Sequence, residues 1–229
     1  MSFKEKYRHE YKYPISDLEA AVLKERIRRL MSLDSHVGES GMYHISSLYF
    51  DDYYDSCYYE NENGSDLKEK FRIRIYDNST DMISLECKRK EHGKTLKMSC
   101  RLQKSQVEDI IEGRSVKNTN NDSLLNKFII LQNTKGLKPK VIVDYKRMPY
   151  IERAGNVRIT FDSQLASSKN IEKFLDGNFV SRPILPVGML LMEVKYDEFL
   201  PDFIYDALQL NYLTQSAFSK YYLCRKFCS

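Results

Sequence analysis

Several stretches of this chain alternate aliphatic and charged residues with a period of two, and the charged side is repeatedly cationic. In 68–77, Phe71, Ile73 and Ile75 oppose Lys70, Arg72, Arg74 and Tyr76. Successive side chains of a β-strand point to opposite faces, so such a segment presents one apolar and one basic surface. In 82–90, Ile83, Leu85 and Cys87 stand against Glu86, Lys88 and Lys90, with Arg89 intruding on the apolar side. In 94–101, Leu96, Met98 and Cys100 oppose Lys97, Ser99 and Arg101. The pattern returns in 157–162, where Val157, Ile159 and Phe161 oppose Arg158, Thr160 and Asp162, and in 190–195, where Leu190, Met192 and Val194 oppose Leu191, Glu193 and Lys195. Near the N-terminus, Arg8, Glu10 and Lys12 oppose His9, Tyr11 and Tyr13.

Two geometries accommodate this pattern. For any one strand, the simpler turns the charged face to water and the apolar face into an ordinary sandwich core. An exposed sheet usually mixes signs, however, because like charges across neighbouring strands destabilise it by roughly a few tenths of a kcal/mol or more. Arg72, Arg74, Lys88, Lys90, Lys97, Arg158 and Lys195 meet only scattered carboxylates. The alternative turns the cations inward around an enclosed channel and covers the apolar outside with helices. A polyanion in that channel stabilises them through charge-assisted hydrogen bonds. Arg supplies planar forks and Lys supplies point charges, a mixture suited to a chain of phosphates. Glu10, Glu86 and Glu193 on the same face suit a hard divalent cation, Mg²⁺ or Mn²⁺, that bridges phosphate oxygens.

The remaining elements favour this closed arrangement. Period-two segments are expected at 7–15, 43–52, 68–77, 82–91, 94–102, 139–151, 157–164 and 188–197. Helices are expected at 16–32, where Ser16 and Glu19 form a capping signature, and at 104–113, 122–133, 201–210 and 215–227. The segment 53–66 reads as a short helix or loop at a rim. The expected fold is α+β: an antiparallel eight-stranded β-barrel with flanking helices, as one domain over 1–229.

Composition narrows the function classes. With 17 Tyr and 11 Phe the chain is no disordered polyelectrolyte, and a net charge of +4 is too mild to mark a nucleic-acid partner. Arg72, Arg74, Lys88 and Lys90 alternate with aliphatic residues and not with the exposed aromatics of a nucleic-acid groove. Five Cys without paired metal-ligand spacing, and an opening Met1-Ser2-Phe3-Lys4-Glu5-Lys6-Tyr7-Arg8 without a signal-peptide core, favour a reduced cytoplasmic location. The apolar stretch Ile184 to Met192, broken by Pro186 and Gly188, is far below the roughly 20 residues of a membrane helix. No Walker loop, zinc-type Cys/His cluster or kinase catalytic loop occurs. The four His are scattered, Cys224 and Cys228 read as helix packing, and Tyr49, Tyr53, Tyr54, Tyr58 and Tyr59 read as rim packing or a nucleobase platform.

The strands also carry a resemblance. Arg8-His9-Glu10-Tyr11-Lys12-Tyr13, Ser47-Leu48-Tyr49-Phe50-Asp51, Phe71-Arg72-Ile73-Arg74-Ile75-Tyr76 and Leu85-Glu86-Cys87-Lys88-Arg89-Lys90 are its first pieces. Tyr145-Lys146-Arg147, Val157-Arg158-Ile159-Thr160-Phe161-Asp162, Met192-Glu193-Val194-Lys195 and Ser219-Lys220-Tyr221 follow in order. Together they resemble the VTC (vacuolar transporter chaperone) catalytic domain, the polyphosphate polymerase branch of the triphosphate tunnel metalloenzymes, which also include the CYTH triphosphatases. The resemblance implies that Lys12, Arg72, Arg74, Lys88, Lys97, Arg147, Arg158 and Lys220 bind phosphates, that Ser219 assists at the tunnel wall and that Glu193 holds the metal. Arg8, Lys90 and Lys195 join the phosphate-binding set, and Glu10 and Glu86 the metal set, through alternation. CYTH triphosphatases resemble a Glu-x-Glu-x-Lys pattern on the first strand, whereas this chain reads Arg8-x-Glu10-x-Lys12 and exchanges a carboxylate for a cation. The implied reaction is transfer of the γ-phosphoryl group of ATP to a growing polyphosphate. The alternatives are an inorganic triphosphatase on the same scaffold and a non-catalytic polyphosphate-binding module. A membrane-bound partner protein is compatible with the resemblance, and the sequence assigns no oligomeric state.

Overall fold

The structure, a computed structural model, describes residues 6–64 and 67–228. Met1 to Glu5 of the N-terminal reading, and Ser65 and Asp66 of the expected rim segment, lie outside the described residues. The first half contains β1 (His9–Ser16), α1 (Asp17–Ile27), β2 (Ser32–Leu33), β3 (Tyr43–Asp51), α2 (Ser56–Glu62), β4 (Lys68–Tyr76), β5 (Ser79–Glu91) and β6 (Lys94–Leu102). The second contains α3 (Lys104–Ile111), α4 (Ser123–Lys135), β7 (Lys138–Glu152), β8 (Val157–Ser168), β9 (Arg182–Pro183), β10 (Met189–Tyr196), α5 (Asp202–Leu208) and α6 (Lys220–Phe227).

Eight long strands form one antiparallel sheet in the order β1-β10-β8-β7-β3-β4-β5-β6, with β2 beside β7 and β9 beside β8. The sheet curls into a half-barrel whose edges touch: the backbone N–H groups of Arg8 and Thr95 each donate to the other residue's carbonyl at 2.9 Å. The α+β architecture expected from the alternation is present as this half-barrel, and among the described residues the Arg8–Thr95 bridge joins its β1 and β6 edges.

The apolar strand faces point outward and are covered. Phe71, Ile73, Ile75, Ile83, Leu85 and Cys87 pack with Val107 and Ile110 of α3 and Leu124, Leu125 and Phe128 of α4. On the other flank, Tyr13, Ile15, Ile159, Phe161, Met192 and Val194 pack with Leu23 and Ile27 of α1 and Ile204 and Leu208 of α5. Burying each such side chain contributes about 1.5–3 kcal/mol, so these two shells hold the curl shut around its charged face. A third cluster lies on the concave side, where Tyr221 and Cys224 of α6 meet Tyr43, Ile45, Tyr49, Val141, Val143, Tyr145 and Leu165.

Several ends differ from the sequence reading for identifiable reasons. α1 stops at Ile27, not at 32, because the N–H groups of Leu30 and Met31 both turn back to the Ile27 carbonyl before β2 begins. α6 starts at Lys220, not at 215, because Ser216 N–H donates to the Lys12 carbonyl and holds that stretch beside β1. α5 ends at Leu208 where Gln209 takes a left-handed conformation, φ 49°. β7 and β8 run longer than expected.

Candidate functional site

The concave face of the sheet carries the cations predicted to point inward. Cross-strand register places Tyr49 beside Arg72, Arg72 beside Glu86, and Ser47 beside Arg74. Arg72 donates to Glu86 through Nε at 2.8 Å and Nη2 at 2.6 Å, and to the Tyr49 hydroxyl at 2.7 Å. Arg74 donates to the Ser47 and Tyr145 hydroxyls, both at 3.2 Å. Lys97 reaches Glu86 at 3.0 Å from β6. Glu86 is therefore the counter-ion of the β4–β6 wall. Burial alone raises its carboxyl pKa, but Arg74, Arg72 and Lys97 outweigh that and hold it well below the usual carboxylate range.

A second network spans β1, β5, β7, β8, β10 and the start of α6. Arg147 grips Asp162 with two bonds of 2.6 Å, and Lys220 sits between Asp162, at 2.7 Å, and Glu193. Lys195 pairs with Glu193 at 2.9 Å, while Glu10 receives Lys88 at 2.6 Å and Lys12 at 3.3 Å. Lys12 also donates to the Phe218 carbonyl at 2.7 Å, which ties β1 to the approach of α6. Lys220 lies over the Tyr145 ring at 5.0 Å and the Arg147 guanidinium over the same ring at 5.2 Å. Asp162, Glu193, Arg147 and Lys220 are all buried.

Burial opposes every charge here, and the partners decide the outcome. Burial would raise Glu10 and Glu193, yet Lys88, Lys195 and Lys12 hold Glu10 well below its ordinary range, and Lys195, Lys220 and Arg147 do the same for Glu193. Burial would lower Lys220, but Asp162 and Glu193 raise it. Lys88 goes the other way: burial, reinforced by Lys12 and Lys195 and only partly opposed by Glu10, brings it down to about 7. The channel thus keeps its carboxylates ionised while crowding its cations, the condition in which an incoming anion gains most.

The other expected residues occupy the margins. Arg158 donates to the Tyr43 hydroxyl at 3.0 Å and pairs with Asp34 at 2.7 Å. Arg8 pairs with Asp197 at 2.8 Å and donates to the Asn156 carbonyl, near the β7–β8 turn. Ser219 caps α6, its hydroxyl accepting from Tyr222 N–H. Lys90 is exposed, opposite Lys68 and Thr95 at the outer end of β5. His9 stacks on Tyr196 with ring centroids 4.8 Å apart. Of the tyrosine group, Tyr49 stacks on Tyr221 and Tyr58 on Tyr222, whereas Tyr53 and Tyr54 are exposed.

Sequence reasoning gave no channel role to Asp162, Thr160, Lys70 or Tyr145, and read Tyr49 as rim packing or a nucleobase platform. The first three stood on the charged side of their strands, so the period-two signal was available. The two tyrosines act through hydroxyl groups that alternation does not register.

For a divalent cation, the donors are hard oxygens of the right kind. Glu10 and Glu193 share Lys195, at 3.9 and 2.9 Å. The Thr160 hydroxyl, fully buried on the strand position opposite Glu193, has no hydrogen-bond partner among the described residues. Each carboxylate is nevertheless engaged by ammonium or guanidinium groups. Among the described residues, no cluster of three or more His, Cys, Asp or Glu is placed to hold an ion. The site fits Mg²⁺ or Mn²⁺ arriving on a phosphate chain, which takes one or two carboxylates and completes its shell with phosphate and water oxygens. It does not fit a resident ion caged by protein alone.

Comparison with known proteins agrees with this geometry. The fold resembles HpAC1 from Hippeastrum, described as revealing a dominant triphosphatase activity, at 11% identity and TM-score 0.53, over 97% of this chain and 96% of that one. It also resembles the PH1819 protein from Pyrococcus horikoshii OT3, at 16% identity and TM-score 0.51, over 96% and 99% of the two chains. A search of curated proteins finds no match. No described helix is long and apolar enough to cross a membrane. Residues 7–228 match the VTC domain, so both this span and the curled, cation-lined sheet lead to one assignment: the chain belongs to the VTC domain family.

Proposed function

We propose that this chain is a metal-dependent phosphotransferase that moves the γ-phosphoryl group of ATP onto the end of a polyphosphate held in the channel. The observation carrying this reading is the cationic excess on the concave face: among the described residues, Lys12, Arg72, Arg74, Lys88, Lys97, Arg147, Lys195 and Lys220 pair with four carboxylates, Glu10, Glu86, Asp162 and Glu193. In phosphoryl transfer the protein mainly aligns two anions that repel each other and stabilises charge on the transferring group. Arg72, Arg74 and Arg147 offer forks for non-bridging oxygens, and Lys12, Lys88 and Lys220 are the point charges beside them. Glu193, with Glu10, would hold Mg²⁺ or Mn²⁺, which when bound supplies further neutralisation of phosphate charge.

An inorganic triphosphatase is the second reading, supported by the activity described for the Hippeastrum protein. Hydrolysis needs a group to activate water. The channel carboxylates Glu10, Glu86, Asp162 and Glu193 are each committed to cations, and their depressed pKa values make them weak bases. This favours transfer to a phosphate, which is itself a nucleophile. Incubation with ATP, and separately with tripolyphosphate, in the presence of Mn²⁺ separates the readings: long-chain polyphosphate with ADP is expected from ATP, free orthophosphate without polymer (with ADP from ATP, with pyrophosphate from tripolyphosphate) supports the triphosphatase, and retention of polyphosphate without turnover supports a binding module. Glu193→Gln is expected to lose turnover by about 100-fold or more while still binding triphosphate, as loss of a stabiliser of developing charge does. A fully active variant contradicts the metal assignment.

A further inference from the structure

Lys70 was not among the predicted site residues, yet it faces the channel. Its ammonium lies over the Tyr221 ring at 5.4 Å and 3.5 Å from the Ser219 hydroxyl. Among the described residues no carboxylate comes within ion-pair distance of it; Lys68 and Lys12 stand near enough to oppose its charge, and Glu60 near enough to favour it. Asp51, two positions beyond Tyr49 on β3, is engaged elsewhere: it accepts from the Tyr221 hydroxyl and from the N–H groups of Cys57 and Tyr58.

Register adds the second observation. Lys70 on β4 is directly opposite Lys88 on β5, and Lys88 is directly opposite Lys97 on β6. Lys88 pairs with Glu10 at 2.6 Å and Lys97 with Glu86 at 3.0 Å, so Lys70 is the member of this row that has no carboxylate at ion-pair distance among the described residues, and it meets its neighbours as a like charge. The next row inward, about 6.7 Å along β4, is the Arg72–Glu86 row, where a carboxylate balances the guanidinium. Side-chain exposure rises between the rows, from 7% and 15% at Arg74 and Arg72 to 31% and 53% at Lys88 and Lys97. The lysine row therefore lies nearer an open end, and Lys68 opposite Lys90 continues it outward. From Arg74 to Lys68 this cationic track covers about 20 Å of strand, longer than one triphosphate group.

We propose that Lys70, with Lys88 and Lys97, binds phosphates beyond those held at the arginine row, so that the channel prefers long phosphate chains to triphosphate. The inference rests on the channel being the phosphate site. Lysine suits this position because its point charge on a flexible stem holds a chain without the fixed bidentate geometry of arginine, so the chain can advance. Burial lowers the Lys70 ammonium to about 8, and a passing polyanion restores its charge.

The test is calorimetric titration of the full chain with tripolyphosphate and, separately, with long-chain polyphosphate. Lys70→Met keeps the stem and removes the charge. It is expected to weaken long-chain binding roughly tenfold, the worth of one charge-assisted contact, and tripolyphosphate binding by less than about twofold. Lys70→Arg is expected to restore long-chain affinity, a rescue that a merely structural role for the stem does not give. Lys70→Gln provides the same comparison should the methionine variant not fold. Equal weakening of both ligands, or no weakening of either, overturns the role of Lys70 while leaving the channel as the phosphate site. Failure of the unsubstituted chain to bind either ligand overturns both.

Discussion

Lys220 occupies the most constrained position in the channel, buried between Asp162 and Glu193 with Arg147 on the far side of the same carboxylates. Removing one partner from a buried ion network leaves an uncompensated charge, typically at about 3–5 kcal/mol. Lys220→Met is accordingly expected to lower the urea midpoint markedly, with added tripolyphosphate unable to restore it, because the ammonium that bridges Asp162 and Glu193 is gone and these two buried carboxylates are left with Arg147 and the partly exposed Lys195. A variant as stable as the parent contradicts the reading of this cluster as a compensated network. Such roles were only partly visible in the amino-acid string. Arg72 and Lys88 were readable from period two alone, since one-residue alternation assigns a face. Lys220 lies on a helix, where no such parity exists, and only the Ser219-Lys220-Tyr221 resemblance pointed to it. Lys90 has the right parity but lies where β5 runs out to solvent, and parity gives no information on depth.

Elements align these charges, and their ends carry the information that alternation lacks. The β7–β8 turn brings Arg147 opposite Asp162 and sets the approach of β10. Gly155 in that turn has φ +68°, and a Cβ there would lie 2.4 Å from the Phe199 carbonyl oxygen, while its own carbonyl accepts from Asp197 N–H. Gly155→Ala combines a left-handed backbone with a backbone clash and is expected to cost about 1–3 kcal/mol, lowering Tm by about 2–4 °C per kcal/mol. An unchanged melting curve shows that the turn shifts freely and does not lock β10. Strands and their faces were readable because burial on one side fixes register. Helix limits were not, since long-range bonds decide them: Ser216 N–H to the Lys12 carbonyl trims α6, and the return of Leu30 and Met31 to Ile27 trims α1.

The molecule as a whole inverts the usual placement of charge. Its net charge of +4 is modest, yet cations concentrate on the concave face while aliphatic residues fill two helix-covered shells outside. Hydrophobic burial on the convex side offsets the repulsion inside, and the channel carboxylates hold the cations apart until phosphate oxygens replace them. The curl, its antiparallel order and its helix-covered exterior were all implied by alternation together with flanking helices. Closure was expected as well; the place where the edges meet, the Arg8–Thr95 bridge, was not readable, because pairing between chain segments so distant leaves no local pattern. The most direct test is a crystal structure of the full chain with tripolyphosphate. The ligand is expected on the concave face, its oxygens against Arg72, Arg147 and Lys220, with these cations turned from their carboxylates toward it. Tripolyphosphate bound only on the outer surface, with the pairs to Glu86, Asp162 and Glu193 unchanged at saturating ligand, contradicts the account.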